Sequence, residues 1–441
     1  MAIVFEHPLK LDKTVPAMAM AVIMWTLVAF GYNSGILSVI DSHGEILNLI
    51  TSDNPGVVEH AHDQFTNVLL HHMGKVAEIL IFLIGAMTIV ELIDSHKGFE
   101  VLKDYITTKN KKKLLWIIGI ISFFLSAVID NLTCTIVMVS LLRKLIKDRE
   151  SRLIYVSLVI ISANAGGAWS PIGDVTTTML WIGKKVSAVG LSEYLILPSL
   201  VCFAIPVLIA SRWKECNGKI EDVAQDDTKS GKVLSSKTML YLGLGMIVFV
   251  PVFKAITHLP PYLGMMLSLS IVWMVAEYIK PEENLTEETK KLYSPHKALS
   301  RIELSSILFF LGILLAVAAM ETAVIDGVGI LRYAAEGLEK AIPNQDIVII
   351  LLGYMSAVID NVPLVAASMG MFDQPIDHLI WHFIAYAAGT GGSMLIIGSA
   401  AGVAAMGMER IDFIWYLRKI TLLAMAGYIG GAIVFIAMHS L

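Results

Sequence analysis

Long apolar runs separated by short polar segments dominate the hydrophobic pattern of this chain. Some runs, such as Leu195–Ala210 and Leu240–Phe253, are slightly shorter than a full membrane span and can cross a bilayer with help from flanking residues. The longest runs hold about 17 residues or more, the helix length that crosses about 30 Å of hydrocarbon. They are Val15–Tyr32, Val76–Ile93, Leu304–Met320 and Ile420–Met438. The pattern predicts helices that cross a membrane several times.

The composition supports an all-α polytopic membrane protein. Of 441 residues, 56% are hydrophobic and 16% are charged, with a mean hydropathy of +0.70, whereas soluble domains carry about 25% charged residues. The three cysteines lack metal-ligand spacing, which argues against a zinc site or a disulfide framework. The first apolar run lacks a clear cleavage site, so we expect a retained helix and a cytoplasmic membrane protein. We predict no cofactor and no nucleic-acid partner.

An internal repeat relates the two halves of the chain. The hexapeptide SAVIDN occurs at Ser126–Asn131 and again at Ser356–Asn361, 230 residues later. Apolar runs that end at Glu91 and Glu321 show the same separation. Downstream, "AGGAWSPIGD" at 165–174 aligns with "TGGSMLIIGS" at 390–399, 225 residues later. Three blocks in one order predict two homologous halves.

The distribution of Lys and Arg predicts the topology, because short cytoplasmic loops are rich in these residues. Two basic segments, Lys103–Lys113 and Arg143–Arg152, flank Leu114–Leu142. This stretch is shorter than the roughly 40 residues that two full spans need, so it predicts a re-entrant hairpin with Asp130 at its tip. The second copy has few basic flanks and should enter from the opposite side, which is typical of an inverted repeat.

Glycine and proline predict a broken helix in each half, in "SANAGGAWSPIGDVTTT" and "GTGGSMLIIGSAAG". Carbonyls freed in a membrane must line a cavity or meet a ligand. The predicted parts are residues 1–75, with an N-terminal helix and a polar loop; a first repeat, 76–211, with a hairpin at 114–142 and a broken helix at 153–190; a cytoplasmic linker, 212–237; and a second repeat, 238–441, with a hairpin at 346–371 and a broken helix at 379–409.

The hairpin tips and the broken helices gather oxygen-bearing side chains and no Lys or Arg at mid-membrane. Hard cations such as Na⁺ prefer oxygen ligands. Three further acids, Glu78, Glu91 and Glu321, could face either this site or the headgroups. The candidate ion- and proton-binding residues are Asp130, Asn131, Thr133, Asn164, Asp174, Thr176, Thr177, Ser356, Asp360, Asn361, Ser393 and Ser399.

These motifs resemble those of the NhaD-type Na⁺/H⁺ antiporters of the ion transporter superfamily. The matching pieces are "GAMTIVELI" at 85–93, both SAVIDN copies and "SANAGGAWSPIGDVTTTMLW" at 162–181. The resemblance implies exchange of Na⁺ or Li⁺ for H⁺ by alternating access, and a homodimer by analogy with the superfamily. It implies roles in transport for Asp130, Asn131, Asn164, Asp174, Thr176, Thr177, Ser356, Asp360 and Asn361.

Several other functions compete with antiport. Carriers of arsenite or carboxylates share this architecture, but dicarboxylate carriers have Ser-Asn-Thr at the tips, where this chain has Ile-Asp-Asn. A channel needs a continuous pore, and an enzyme would need a base beside Cys134, which the sequence lacks. Burial disfavours a charged carboxyl, so H⁺ and Na⁺ can compete for one acid. We expect at least one of three aspartates to carry the proton, with Asp130 and Asp360 as the leading pair before Asp174.

Overall fold

The structure is a computed structural model that describes residues 12–41, 45–47, 55–220, 233–279, 293–325 and 327–439. Among these residues, seven helices are long and apolar enough to cross a membrane. The prediction of a helical, multi-pass membrane protein is thereby confirmed. Residues 221–232, part of the predicted cytoplasmic linker 212–237, lie outside the described residues.

Helices account for most of the described chain, with four very short strands between them. In chain order the elements are α1 (Thr14–Asn33), β1 (Ser38–Ile40), β2 (Ile46–Leu47), α2 (Pro55–Ser95), α3 (Lys111–Ser126), α4 (Asn131–Leu145), α5 (Arg149–Ala168), α6 (Val175–Ile182), α7 (Ala188–Ala210), α8 (Ser236–Thr257), α9 (Pro261–Tyr278), α10 (Pro295–Leu299), α11 (Leu304–Thr322), β3 (Ala323–Ile325), β4 (Val328–Gly329), α12 (Ile330–Ala341), α13 (Gln345–Ser356), α14 (Asn361–Met371), α15 (Leu379–Gly391), α16 (Ala400–Glu409), α17 (Phe413–Lys419) and α18 (Thr421–His439), with 3₁₀ turns at Gly98–Tyr105 and Lys214–Cys216.

The first compact unit comprises Met1–Ile81, Glu303–Ile349 and Val362–Pro375. In it, α1 packs along α11, and the indole Nε1 of Trp25 donates a 2.8 Å hydrogen bond to the carbonyl of Leu315. The strands form an antiparallel sheet in the order β2-β1-β3-β4. Strands of two or three residues leave no alternating pattern in the sequence, so the hydrophobic pattern does not predict this sheet.

The segment predicted as a polar loop before residue 75 is helical from Pro55 onward, as the start of α2. Phe65, Val68, Leu69 and His72 recur at the three- and four-residue spacing of one helix face. The first three pack on the core of the first unit, and His72 Nε2 lies 3.0 Å from the Thr322 hydroxyl. Packing of this face explains why a polar sequence forms a helix rather than a loop.

The second compact unit comprises Phe82–Ile302, Ile350–Asn361 and Ile376–Leu441. Helix α5 lies at the centre of this unit. Its apolar stretch is 94% buried, and five helices pack against it: α3, α4, α7, α15 and α16. Such burial on all sides explains why α5 carries apolar and small residues around its whole circumference.

Both halves of the chain contain the same two interruptions. Helices α3 and α4 are joined by residues 127–130, and α13 and α14 by residues 357–360. Residues 169–174 separate α5 from α6, and residues 392–399 separate α15 from α16. Two helix–turn–helix segments and two helices with unwound centres therefore stand in corresponding places in the sequence.

The local geometry of the two halves also matches within the second unit. A Cβ on Gly166 would lie 2.9 Å from the Cα of Phe123, and a Cβ on Gly391 would lie 3.0 Å from the Cα of Gly353. These residue pairs correspond at the offsets found in the sequence. The residues before α6 and α16, Asp174 and Ser399, have nearly equal φ and ψ, −146° and 146° against −142° and 153°. This agreement supports an internal repeat, and the opposite orientation of its halves in the membrane stays a prediction.

Replacing Gly166 or Gly391 by Ala should destabilise the protein, because each added Cβ meets the backbone of a neighbouring helix rather than a flexible side chain. We expect a loss of about 1–3 kcal/mol, seen as a lower melting temperature and a smaller monodisperse fraction in detergent. Gly245→Ala is the control, because no heavy atom lies within 4 Å of its added Cβ. Melting of all three variants at the wild-type temperature would contradict these backbone contacts.

Candidate ion-binding site

The side chain of Asp174 occupies the centre of a polar network in the second unit. Asp174 ends the unwound segment 169–174 and caps α6, as Asp often does at a helix N-terminus. Its Oδ1 accepts hydrogen bonds from the Thr176 backbone N–H at 2.8 Å and from the Thr176 hydroxyl at 2.6 Å. Asp174 is only 2% exposed. The break in the helix thus presents a carboxyl group to the protein interior.

The amides that follow both SAVIDN aspartates converge on this carboxyl. Asn131 Nδ2 donates to Asp174 Oδ2 at 2.7 Å. Asn361 Nδ2 makes two longer contacts with the same carboxyl, 3.4 Å to Oδ1 and 3.3 Å to Oδ2. Asn131 is the first residue of α4 and Asn361 the first of α14. The two turns that the sequence marks by repetition therefore meet one acid.

Asn164, on the buried helix α5, links this carboxyl to the second broken helix. Its Oδ1 accepts the other amide hydrogen of Asn131 at 2.9 Å. Its Nδ2 donates to the hydroxyls of Ser393 and Ser399, each at 3.0 Å. Ser399 in turn accepts the backbone N–H of Gly402 and caps α16. One continuous network thus includes groups from both turns and both broken helices.

The network contains the carboxyl of Asp174 and, among the described residues, no Lys or Arg side chain. In the described parts of the chain, no Lys or Arg forms an ion pair with Asp130 or Asp174. The two asparagines that reach Asp174 directly follow two further acids, Asp130 and Asp360. A buried carboxylate is costly unless it is protonated, hydrogen-bonded or paired with a cation. This arrangement can therefore hold a proton or a small cation.

Other predicted residues make local contacts instead. Asp130 caps α4, since its two oxygens accept from the Thr133 N–H at 2.8 Å and the Thr133 hydroxyl at 2.6 Å. The Thr177 hydroxyl donates to the carbonyls of Ser170 and Asp174. Ser356 donates to the Ala388 carbonyl at 2.8 Å and so ties the second turn to α15. These contacts fix the shape of the site's surroundings.

Of the three accessory glutamates, Glu91 has a described partner outside this network. Glu91, near the end of α2, forms an ion pair with Arg301, with 3.2 Å between Glu91 Oε1 and Arg301 Nη1. Glu78 and Glu321 belong to the first compact unit, whereas the network belongs to the second. The sequence left open whether Glu91 faces the ion site or the headgroups. In the structure its described cationic partner is Arg301, outside the network.

Several supporting side chains have no signal in the sequence. The Tyr416 hydroxyl donates to the Ser393 carbonyl at 2.8 Å, and Thr421 donates to the Met394 carbonyl at 2.7 Å. Thr178 donates to the Pro171 carbonyl at 2.9 Å. Carbonyls freed by a helix break need donors, which predicts that such partners exist. Their identity depends on tertiary packing and cannot be deduced from spacing.

The two halves contribute unequally to the network. At the 225-residue offset, Asn164 corresponds to Gly389, and Asp174 corresponds to Ser399. The first broken helix therefore supplies the acid and the central amide, whereas the second supplies hydroxyl groups. The repeat preserves the backbone shape and changes the chemistry.

Comparison with known proteins places the chain among transporters. A family model described as "Citrate transporter" matches residues 1–391. Sodium/proton antiporter 1 of Arabidopsis thaliana is 46% identical, over 100% of this chain and 70% of that protein. Sodium/proton antiporter 2 of the same plant is 41% identical, over 99% and 97%.

A bacterial relative and a solved structure agree with this result. The Na⁺/H⁺ antiporter NhaD of Alkalimonas amylolytica is 32% identical, over 92% of this chain and 81% of that protein. The YdaH transporter of Alcanivorax borkumensis has a similar fold, with a TM-score of 0.60, 11% identity and coverage of 96% of this chain and 97% of that one. By the family model and these relatives together, the chain belongs to the family of the NhaD-type Na⁺/H⁺ antiporters.

Proposed function

We propose that this protein exchanges Na⁺ for H⁺ across a membrane, and that both ions use the Asp174 carboxyl. The observation that carries the proposal is a fully buried carboxyl surrounded by neutral amide and hydroxyl groups from both turns and both broken helices. The relatives that are named sodium/proton antiporters support the same activity. The transported cation is the substrate, and Li⁺ is a second candidate of the same charge.

Competition for one acid would couple the two fluxes. Burial makes a bare carboxylate costly, and either a proton or a cation removes that cost. An Asn amide has an acceptor oxygen as well as a donor NH₂, so rotation of Asn131 and Asn361 would turn oxygens toward a bound cation. The site would then cross the membrane carrying one ion or the other, and movement of the empty charged site would be disfavoured.

The hydrogen bonds favour Asp174 over Asp130, one of the two acids that the sequence ranks first. Both oxygens of Asp130 are already held by Thr133, whereas Asp174 receives amides from two separate turns. In this proposal the remaining two aspartates set the local potential.

Transport would proceed by alternating access, with the turns and broken helices moving together. Broken helices that meet at an ion site are the feature on which such transporters rely. We propose the cytoplasmic membrane as the site of action, from the basic segments at the ends of the apolar runs.

The match to a family described as citrate transporters raises a second candidate, a carboxylate carrier. An anionic substrate would need a cationic side chain or free N–H groups at helix N-termini. At α4 and α6, the side chains of Asp130 and Asp174 accept the first-turn N–H groups. These acids would repel a carboxylate, so the geometry favours a cation.

Ion replacement in proteoliposomes tests the function directly. With a pH gradient set across the membrane, addition of Na⁺ or Li⁺ should dissipate it, and addition of citrate with an impermeant cation should not. A pH-sensitive dye in the lumen reports the change, and empty liposomes are the control. Citrate-driven dissipation without a response to Na⁺ would establish the carboxylate carrier instead.

Replacing Asp174 by Asn should abolish Na⁺/H⁺ exchange, because an amide cannot release a proton to the solution when the cation binds. In the wild-type protein, the apparent Na⁺ affinity should fall about tenfold for each unit by which the pH is lowered, in the acidic range where one proton competes with Na⁺. Isothermal titration at several pH values measures this slope. Asp130→Asn and Asp360→Asn are compared in parallel. Full exchange in Asp174→Asn, or Na⁺ binding independent of pH, would refute a role for this acid.

Removal of neutral groups from the network should weaken cation binding without abolishing it. We expect Asn164→Ala to raise the apparent KM for Na⁺ by about tenfold, as loss of a group that orients ion ligands commonly does. Ser157→Ala is the matched control on the same helix, because its buried hydroxyl donates to the Leu153 carbonyl and not to the network. An equal KM in both variants would move the cation site away from Asn164.

A further inference from the structure

The C-terminal end of α16 carries an ion-pair cluster around a buried glutamate, and the exchange mechanism does not use it. The side chain of Glu409 is 3% exposed. Its Oε1 accepts from Arg143 Nε at 2.6 Å, and its Oε2 accepts from Arg152 Nε at 3.0 Å. One carboxylate therefore receives two arginines through different oxygens.

The same region caps the end of the helix. Arg143 Nη2 donates to the Met408 carbonyl, and Arg149 Nη2 donates to the Arg410 carbonyl at 3.2 Å. Cations are favoured at a helix C-terminus because its last carbonyls lack partners. We call the set Arg143, Arg149, Arg152 and Glu409 the arginine clamp. Its arginines come from the end of α4 and the start of α5, in the first half of the chain, and its glutamate comes from the second half.

The arginine clamp and the ion-site network hold opposite ends of α16. At the N-terminal end, Ser399 accepts from Asn164, and at the other end Glu409 accepts from Arg152. Asn164 and Arg152 both lie on α5, about 18 Å apart at 1.5 Å per residue. Residues 399 and 409 are about 15 Å apart on the same basis. The two helices thus lie antiparallel and are joined at both ends.

The side chains of α16 itself offer few ways to fix its position along α5. Its sequence is AAGVAAMGME, in which six of ten residues are Ala or Gly. A helix surface this smooth offers few side chains that interlock with neighbours. Buried ion pairs contribute little net stability, and fixing a register is the best-supported reason to retain one. The bonds at the two helix ends therefore add to the packing on α4 and to the Tyr416 and Thr421 bonds in setting the position of Ser399 along α5.

We propose that the arginine clamp is a positioning device that sets the depth of Ser399 in the ion site and thereby the affinity for the transported cation. The inference rests on the proposed cation exchange. The clamp lies a helix length from the site, so it acts through α16 and makes no contact with the ion. A shift of α16 along its axis would stretch the bond from Asn164 to Ser399.

The test measures Na⁺-dependent exchange in proteoliposomes and melting temperature in detergent for Glu409→Gln and Arg152→Lys. Glu409→Gln keeps the shape and removes the charge. Arg152→Lys keeps the charge and removes the bonds of Arg152 Nη1 to the Ile146 and Lys147 carbonyls. The control is Lys144→Gln, which lies beside Arg143 and breaks an exposed 3.0 Å pair with Glu100.

For Glu409→Gln we expect the apparent KM for Na⁺ to rise about tenfold while the maximal rate stays within about twofold. Arg152→Lys should give a smaller increase, and it serves alone if Glu409→Gln does not accumulate. Lys144→Gln should keep the wild-type KM. An unchanged KM in the clamp variants, with or without a lower melting temperature, overturns the inference. Absence of exchange by the wild-type protein in the same assay would instead overturn the proposed function.

Discussion

A carboxyl group buried without a cationic side chain is the constraint around which the second unit is built. Asp174 can remain there because the Thr176 N–H and hydroxyl and the Asn131 amide reach it at 2.6–2.8 Å. These donors reach the carboxyl because α6 begins directly after Asp174 and because Asn131, the first residue of α4, lies next to it. The unwound segments, the two turns and the full burial of α5 are all consequences of this constraint.

The backbone around the site depends on glycine as much as on polar groups. Gly166 and Gly391 bring α5 and α15 so close to α3 and α13 that side chains are excluded from the contacts. This close packing accompanies two hydrogen bonds. The Ser170 hydroxyl donates to the Ala127 carbonyl, and the Ser356 hydroxyl donates to the Ala388 carbonyl. The unit therefore combines tight apolar packing with a polar interior, and neither would form without the other.

Much of this arrangement could be predicted from the sequence. Apolar run lengths give the membrane class, and the repeated SAVIDN motif and the glycine-rich segments mark the elements that supply Asn131, Asn361 and Asp174. The meeting of Asn131 and Asn361 at Asp174 could not be predicted, because these residues are far apart in the chain and only the fold brings them together. Only the fold also shows that Thr133 donates to both oxygens of Asp130. Glu409 stayed hidden for the same reason, since its arginines are more than 250 residues away in the chain. The hydrophobic pattern does not predict the helical start of α2, because polar residues there outnumber the residues that pack on the core of the first unit.

The unequal chemistry of the two halves has a consequence for the direction of transport. In an inverted repeat, one half forms the boundary of the site on one side of the membrane and its counterpart does so on the other. Here the first broken helix brings an acid and an amide, and the second brings serine and glycine in their places. The ion would therefore leave through chemically different exits on the two sides. In the proposed carrier, release to the inner solution and release to the outer solution would depend on different chemical groups.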